Sequence, residues 1–203
     1  MAKYLVLASS NQGKLTELRE LLLPLGLNLR SQSEFGLDSA EETEQTFLGN
    51  ALLKARHASG GTDLPALADD SGLVVDALDG APGVYSARYA GEDGTATENN
   101  SKLCQELARI DSSFVNFTAR FQCVLVLVRN PQDNSPIIAE GKWEGRIIEQ
   151  PRGLNGFGYD PHFFVDEEGC TSAELPRARK NELSHRGKAV RRLLEMIRDS
   201  DLT

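Results

Sequence analysis

Apolar residues return along this chain in distinct rhythms, and the rhythms predict its elements. Lys3 to Ala8 is a compact apolar run of strand length, after which Leu15, Leu18, Leu22 and Leu25 recur at helical spacing until Gly26 breaks the pattern. That predicts a strand, a polar loop over Ser9 to Lys14, and a helix. Leu27 to Arg30 fits a second short strand. Thr46 is a candidate N-cap for a helix whose buried stripe is Phe47, Ala51, Ala55 and Ala58, with its end expected at Gly60-Gly61. Lys54 falls on or beside that inward stripe, where an unpaired cation is costly, so it should meet either a carboxylate or an anionic ligand. A further helix is expected to begin near Thr97 and to carry Leu103 and Leu107. Phe117 to Val128 reads as a long strand, and Ile137 to Trp143 can return antiparallel to it, which makes the sheet mixed. The C-terminal helix has Val190, Leu193, Leu194 and Ile197 on its core face.

One stretch breaks the rule that charge avoids apolar runs. Pro65 to Val75 reads as two strand-like segments meeting at Asp69-Asp70-Ser71-Gly72. Side chains alternate along an extended chain, so Asp69 and Asp70 should point to opposite sides. By itself the stretch is explained by an Asx-type turn in which Gly72 supplies an unusual φ.

The formal net charge of -8 over 203 residues argues against a broad polynucleotide surface, which needs a basic face, while leaving room for a small phosphorylated ligand held by a few cations. Cys104, Cys123 and Cys170 form no C-x-x-C pair, which favours packed thiols in a reducing compartment and no structural zinc. The first apolar run is too short for a signal sequence, and no stretch approaches a membrane span. A soluble cytoplasmic protein is expected, with no membrane and no nucleic-acid partner.

Four polar segments carry candidate chemistry. The loop Ser9 to Lys14 offers backbone N–H groups, hydroxyls and one ammonium near a helix start, an arrangement suited to phosphate, although it lacks Walker A spacing. Asp38, Glu41, Glu42 and Glu44 crowd an acidic segment that could give a hard cation one or two oxygen ligands. Gly153 to Pro161 sets glycines around Phe157, Tyr159 and Asp160, permitting close backbone approach and a flat face for a base. Ser184 is a candidate cap for the last helix, with His185 and Arg186 in its first turn, where cations oppose the helix dipole unless an anion compensates.

Taken together, Ser10-Asn11-Gln12-Gly13-Lys14, Glu41-Glu42-Thr43, Phe47 with Asn50-Ala51 and Lys54-Ala55, Ala68-Asp69-Asp70-Ser71-Gly72-Leu73, Gly80-Ala81-Pro82-Gly83, Tyr85-Ser86-Ala87-Arg88-Tyr89, Gly156-Phe157-Gly158-Tyr159-Asp160-Pro161 and Ser184-His185-Arg186-Gly187 resemble the inosine triphosphate pyrophosphatase family. The blocks occur in order from about Ala8 to Gly187. The resemblance implies an α/β fold with a long mixed sheet flanked by helices, two lobes with an active-site cleft between them, one catalytic domain over the whole chain, and a homodimer. It implies hydrolysis of deaminated purine nucleoside triphosphates to the monophosphate and pyrophosphate. By position it implies a triphosphate cradle at Ser9, Ser10, Asn11, Gln12, Gly13, Lys14 and Lys54, magnesium held by Glu41 and Asp70, and Asp70 as the base that activates water. It puts Asp69 and Ser71 near the substrate, Phe157 with Gly158 and Tyr159 under the purine, and Asp160, Lys180, His185 and Arg186 at the edge of the base. Ser10 departs from the family where many members carry glycine, and Leu154-Asn155 departs where a smaller, glycine-richer run before Gly156 is usual. Two other readings share these residues: a non-catalytic nucleotide sensor, and a pyrophosphatase of related fold for other modified nucleotides.

Overall fold

In a computed structural model that describes residues 4–23, 26, 28–114 and 117–198, the chain forms a seven-stranded mixed sheet flanked by helices. In chain order the main elements are β1 (Tyr4–Ala8), α1 (Gln12–Leu22), β2 (Asn28–Ser31), α2 (Phe47–Thr62), β3 (Ala66–Val75), α3 (Ala96–Ile110), β4 (Phe117–Val128), β5 (Ile137–Ile147), β6 (Phe163–Val165), β7 (Cys170–Thr171), α4 (Arg177–Leu183) and α5 (His185–Arg198). The strands lie in the order β2-β1-β3-β4-β5-β6-β7. β1 is parallel to β2 and β3, whereas β6 is antiparallel to both of its neighbours. Lys3, Leu25 and Leu27, each assigned above to an element, lie outside the described residues.

The chain divides into two compact units, each with its own core. The first comprises Met1–Asp70, Cys123–Gly141 and Arg186–Thr203; the second comprises Ser71–Gln122 and Lys142–His185. In the first unit, Leu15, Leu18 and Leu22 of α1 pack with Leu5 and Leu7 of β1, Leu67 of β3, and Val190, Leu193 and Ile197 of α5. The alanine stripe of α2, Ala51, Ala55 and Ala58, packs instead with Val6, Ala8, Ala66 and Ala68. Odd and even residues of β1 and β3 thus serve different helices, as the two-residue period of a strand requires. In the second unit, Leu103 and Leu107 of α3 pack with Leu73, Val75, Phe117, Phe121, Trp143 and Phe163.

Two local expectations are corrected. No turn interrupts Asp69-Asp70-Ser71-Gly72: β3 runs unbroken through it, and Gly72 has no positive φ. The extended chain can hold two carboxylates there because cations remote in sequence neutralise them, a compensation that local composition does not reveal. Helix α2 also continues past Gly60-Gly61 to Thr62 and is closed by Asp63 in the left-handed conformation, whose N–H donates to the Ser59 carbonyl. Thr46 caps its start as expected, its hydroxyl accepting from the Gly49 N–H. Cys104, Cys123 and Cys170 are free thiols, and among the described residues no helix is long and apolar enough to cross a membrane.

Candidate active site

The two aspartates of β3 inherit opposite faces from the strand period. Leu67 faces α1 and α5, so Asp69 meets cations from those helices; Ala66 and Ala68 face α2, so Asp70 meets a cation from it.

Asp69 is wholly buried. One oxygen pairs with Lys14 Nζ at 2.9 Å, and the other accepts from Arg186 Nε at 2.7 Å and from the Cys123 thiol at 3.3 Å. Arg186, itself buried, donates its other arm to Glu17. Burial alone would push the Asp69 carboxyl upward, but the charges of Arg186 and Lys14 outweigh it and hold the group well below the usual carboxylate range. Lys14 stands in the first turn of α1, whose N-cap Asn11 accepts from the Lys14 N–H at 3.1 Å, while Ser9 Oγ accepts from the Asn11 N–H at 3.2 Å. Ser10, Asn11 and Gln12 are exposed, and Gly13 and Lys14 are half-buried. The expected phosphate loop is therefore an ordered helix start with one ammonium beside it.

On the other face, Lys54 Nζ donates to Asp70 Oδ1 at 2.6 Å and to Glu42 Oε1 at 2.9 Å. Burial disfavours the Lys54 charge, but the two carboxylates overcome that and keep it protonated. For Asp70 burial wins, and its carboxyl is pushed up despite Lys54 and Lys14. Asp70 Oδ2 is buried with no hydrogen-bond partner among the described residues. A carboxylate oxygen left open in this way is suited to bind a cation or a water. Glu41 is exposed; it is the neighbouring Glu42 that reaches Lys54. Among the described residues no three His, Cys, Asp or Glu side chains assemble a ready-made metal cage.

The second unit holds another polar cluster. Asp160 accepts at Oδ2 from Lys180 Nζ at 2.6 Å and from the Phe157 N–H at 2.8 Å, and at Oδ1 from Ser172 Oγ at 2.8 Å. A Cβ on Gly156 would run into the Asp160 carboxylate, which explains glycine there. Lys180 Nζ lies 5.0 Å over the centre of the Phe157 ring, within cation–π range. Tyr159 donates its hydroxyl to the Ser86 carbonyl at 2.8 Å. Gly158, with φ +63, follows Phe157 in this turn. His185 is buried and its ring stacks on Phe121, with centroids 4.9 Å apart.

Of the residues singled out in the sequence, the structure brings Lys14, Asp69 and Arg186 into one buried network, Lys54 and Asp70 into a second, and Phe157, Gly158, Tyr159, Asp160 and Lys180 into a third. Ser71 is half-buried in β3, next to Asp70. Glu17 and Ser172 were not anticipated, and Glu42, named only among the acids that could hold a cation, pairs instead with Lys54. Glu17 gave no signal of its burial, because it stands two residues from Leu15 and one from Leu18, off the inward stripe of α1.

A model of the Ham1 family matches residues 5–196. A protein of Vibrio vulnificus (strain YJ016) named dITP/XTP pyrophosphatase is 52% identical over 200 residues, covering 98% of this chain and 99% of its own length. A protein of the same name from Escherichia coli O157:H7 is 53% identical over 194 residues, 96% of this chain and 98% of its own. Among solved structures, a HAM1 protein from Coxiella burnetii superposes with a TM-score of 0.89 at 47% identity, covering 98% of this chain and all of that one.

Proposed function

Because this chain belongs to the Ham1 family, we propose that it hydrolyses deaminated purine nucleoside triphosphates, those of inosine, deoxyinosine and xanthosine, to the nucleoside monophosphate and pyrophosphate. Such an enzyme clears damaged nucleotides before they enter DNA or RNA. The observation that carries the reading is the buried Lys54–Asp70 pair with its open oxygen Oδ2, in a chain similar over nearly its whole length to proteins named dITP/XTP pyrophosphatase.

Asp70 is the base. Its Oδ2 orients water and takes the proton as the water attacks the α-phosphorus, and help of that kind typically contributes about 10² to 10⁴ in rate. Lys14, Lys54 and the helix start at Ser9 to Gly13 hold the triphosphate and balance charge on the departing pyrophosphate. Within this cluster three cations, Lys14, Lys54 and Arg186, meet four carboxylates, Glu17, Glu42, Asp69 and Asp70. Among these described residues the negative charges outnumber the positive by one. Magnesium would offset that excess at the Asp70 carboxylate, with Glu41 as a second ligand; bound there it would neutralise the phosphates and align them. Asp69 holds Lys14 in place, and Ser71 lies close to the bound nucleotide.

The purine stacks on Phe157. Its 6-carbonyl, which adenine replaces with an amino group, pairs with cationic donors such as Lys180, so adenine would set donor against donor. A mismatch of that kind can discriminate by about 10⁴ where a buried polar group is left unpaired. His185 also borders the base. Asp160 and Arg186 act at one remove, because their hydrogen bonds go to Phe157, Lys180 and Ser172 in the one case and to Asp69 and Glu17 in the other. The working form is a homodimer in the cytoplasm.

A panel of triphosphates with magnesium tests the reading. Initial rates for inosine and xanthosine triphosphates should exceed those for adenosine and guanosine triphosphates by at least a hundredfold. Comparable rates for adenosine triphosphate would refute the substrate class, and binding without turnover would make the protein a sensor.

A further inference from the structure

Asn100, in the second turn of α3, has no part in the roles given above. Its Nδ2 donates to the Gly158 carbonyl at 2.9 Å, while its Oδ1 is buried with no hydrogen-bond partner among the described residues. A buried acceptor left unpaired lowers stability, and a leucine of similar size would avoid that cost. Stability alone therefore does not favour asparagine at this position. What the amide contributes is its single bond to the loop.

That bond falls on the left-handed glycine of the loop. The Phe157 N–H is anchored on Asp160, and the Tyr159 hydroxyl on Ser86, but Gly158 between them has no side chain of its own and adopts a left-handed conformation. Glycine is the conformationally least restricted link in such a turn. The bonded carbonyl belongs to the peptide between Gly158 and Tyr159, and its rotation would shift the turn that carries the Phe157 ring beside the Lys180 ammonium.

Resting on the stacking role given to Phe157 above, we propose that Asn100 is a positioning residue for nucleotide selection. Its amide fixes the Gly158 peptide and with it the pitch of the Phe157 face. Its hydrogen bond goes to the loop backbone, so its loss weakens nucleotide binding and discrimination without slowing bond cleavage.

The test compares wild type with Asn100→Leu and Asn100→Asp, measuring KM and kcat for inosine and adenosine triphosphates together with the melting temperature. Asn100→Leu removes the bond and the unpaired acceptor together; KM for inosine triphosphate should rise roughly 5- to 10-fold, the effect of one lost neutral hydrogen bond, with kcat within about twofold and the melting temperature unchanged or higher. Asn100→Asp sets oxygen against the Gly158 carbonyl and should raise KM further. The preference for inosine over adenosine triphosphate should narrow in both. A wild type that turns over inosine triphosphate beside an Asn100→Leu variant with unaltered KM and preference would overturn the inference alone. So would a variant that loses kcat and melting temperature together, the mark of a merely structural residue. A wild type inactive on inosine triphosphate would instead bring down the functional reading and this inference with it.

Discussion

Lys54 with Asp70 and Lys180 with Asp160 are two buried lysine–aspartate pairs with the same 2.6 Å separation, and they differ in what the carboxylate has left over. Asp160 has both oxygens occupied, by a lysine, a backbone N–H and a serine hydroxyl. Asp70 has one oxygen bound and one buried without a hydrogen-bond partner among the described residues. A saturated carboxylate holds its surroundings in place, whereas one with an open, desolvated oxygen is ready for a ligand that brings its own charge or proton. Residue type and spacing are alike in the two pairs. The hydrogen-bond inventory is what separates architecture from chemistry.

The largest effect that can break this comparison belongs to Asp70→Asn. It should lower kcat by about 10³ and leave the fold intact, because Lys54 keeps its bond to Glu42. Turnover within tenfold of wild type would make Asp70 no more than another structural partner. Asp160→Asn should show the reverse. Removing the charge opposite buried Lys180 should cost about 3 kcal/mol of stability in urea titrations and raise KM, with the chemical step at saturation little changed. If kcat collapsed while stability held, the two pairs would have been assigned the wrong way round.

Acid sharpens the contrast further. Asp69 is held below its ordinary range when folded, so the stability it contributes is present above the unfolded pKa, near 3.9, and is lost as pH falls through the lower folded value. Urea midpoints should therefore drop on acidification below about pH 4, and Asp69→Asn should flatten that limb while lowering stability above it. A variant with the wild-type acid limb would contradict the assignment. The smallest effect expected is that of Ser172→Ala, which removes one of the hydrogen bonds on Asp160 and should cost about 1 kcal/mol, with a KM rise of a few-fold and no change in kcat.

Much of this was legible in the chain. The strand over Phe117 to Val128, the inward Lys54, the Thr46 cap and the opposite facing of Asp69 and Asp70 follow from local periodicity and hold in the structure. The continuity of β3 through Asp69 to Gly72 did not follow, because the groups that make it tolerable come from α1, α2 and α5. Arg186 lies 117 positions from Asp69 and 169 from Glu17, and no local pattern announces such partners. A separation of 58 positions likewise hid Asn100 from Gly158. Periodicity tells a residue which way to face; only the fold supplies what it faces.

The most direct test of the central claim is hydrolysis of inosine triphosphate in ¹⁸O-labelled water, with the products separated by mass. Water activated at Asp70 for attack on the α-phosphorus predicts label in the inosine monophosphate and none in the pyrophosphate. Label in pyrophosphate, or orthophosphate as the first product, would contradict it.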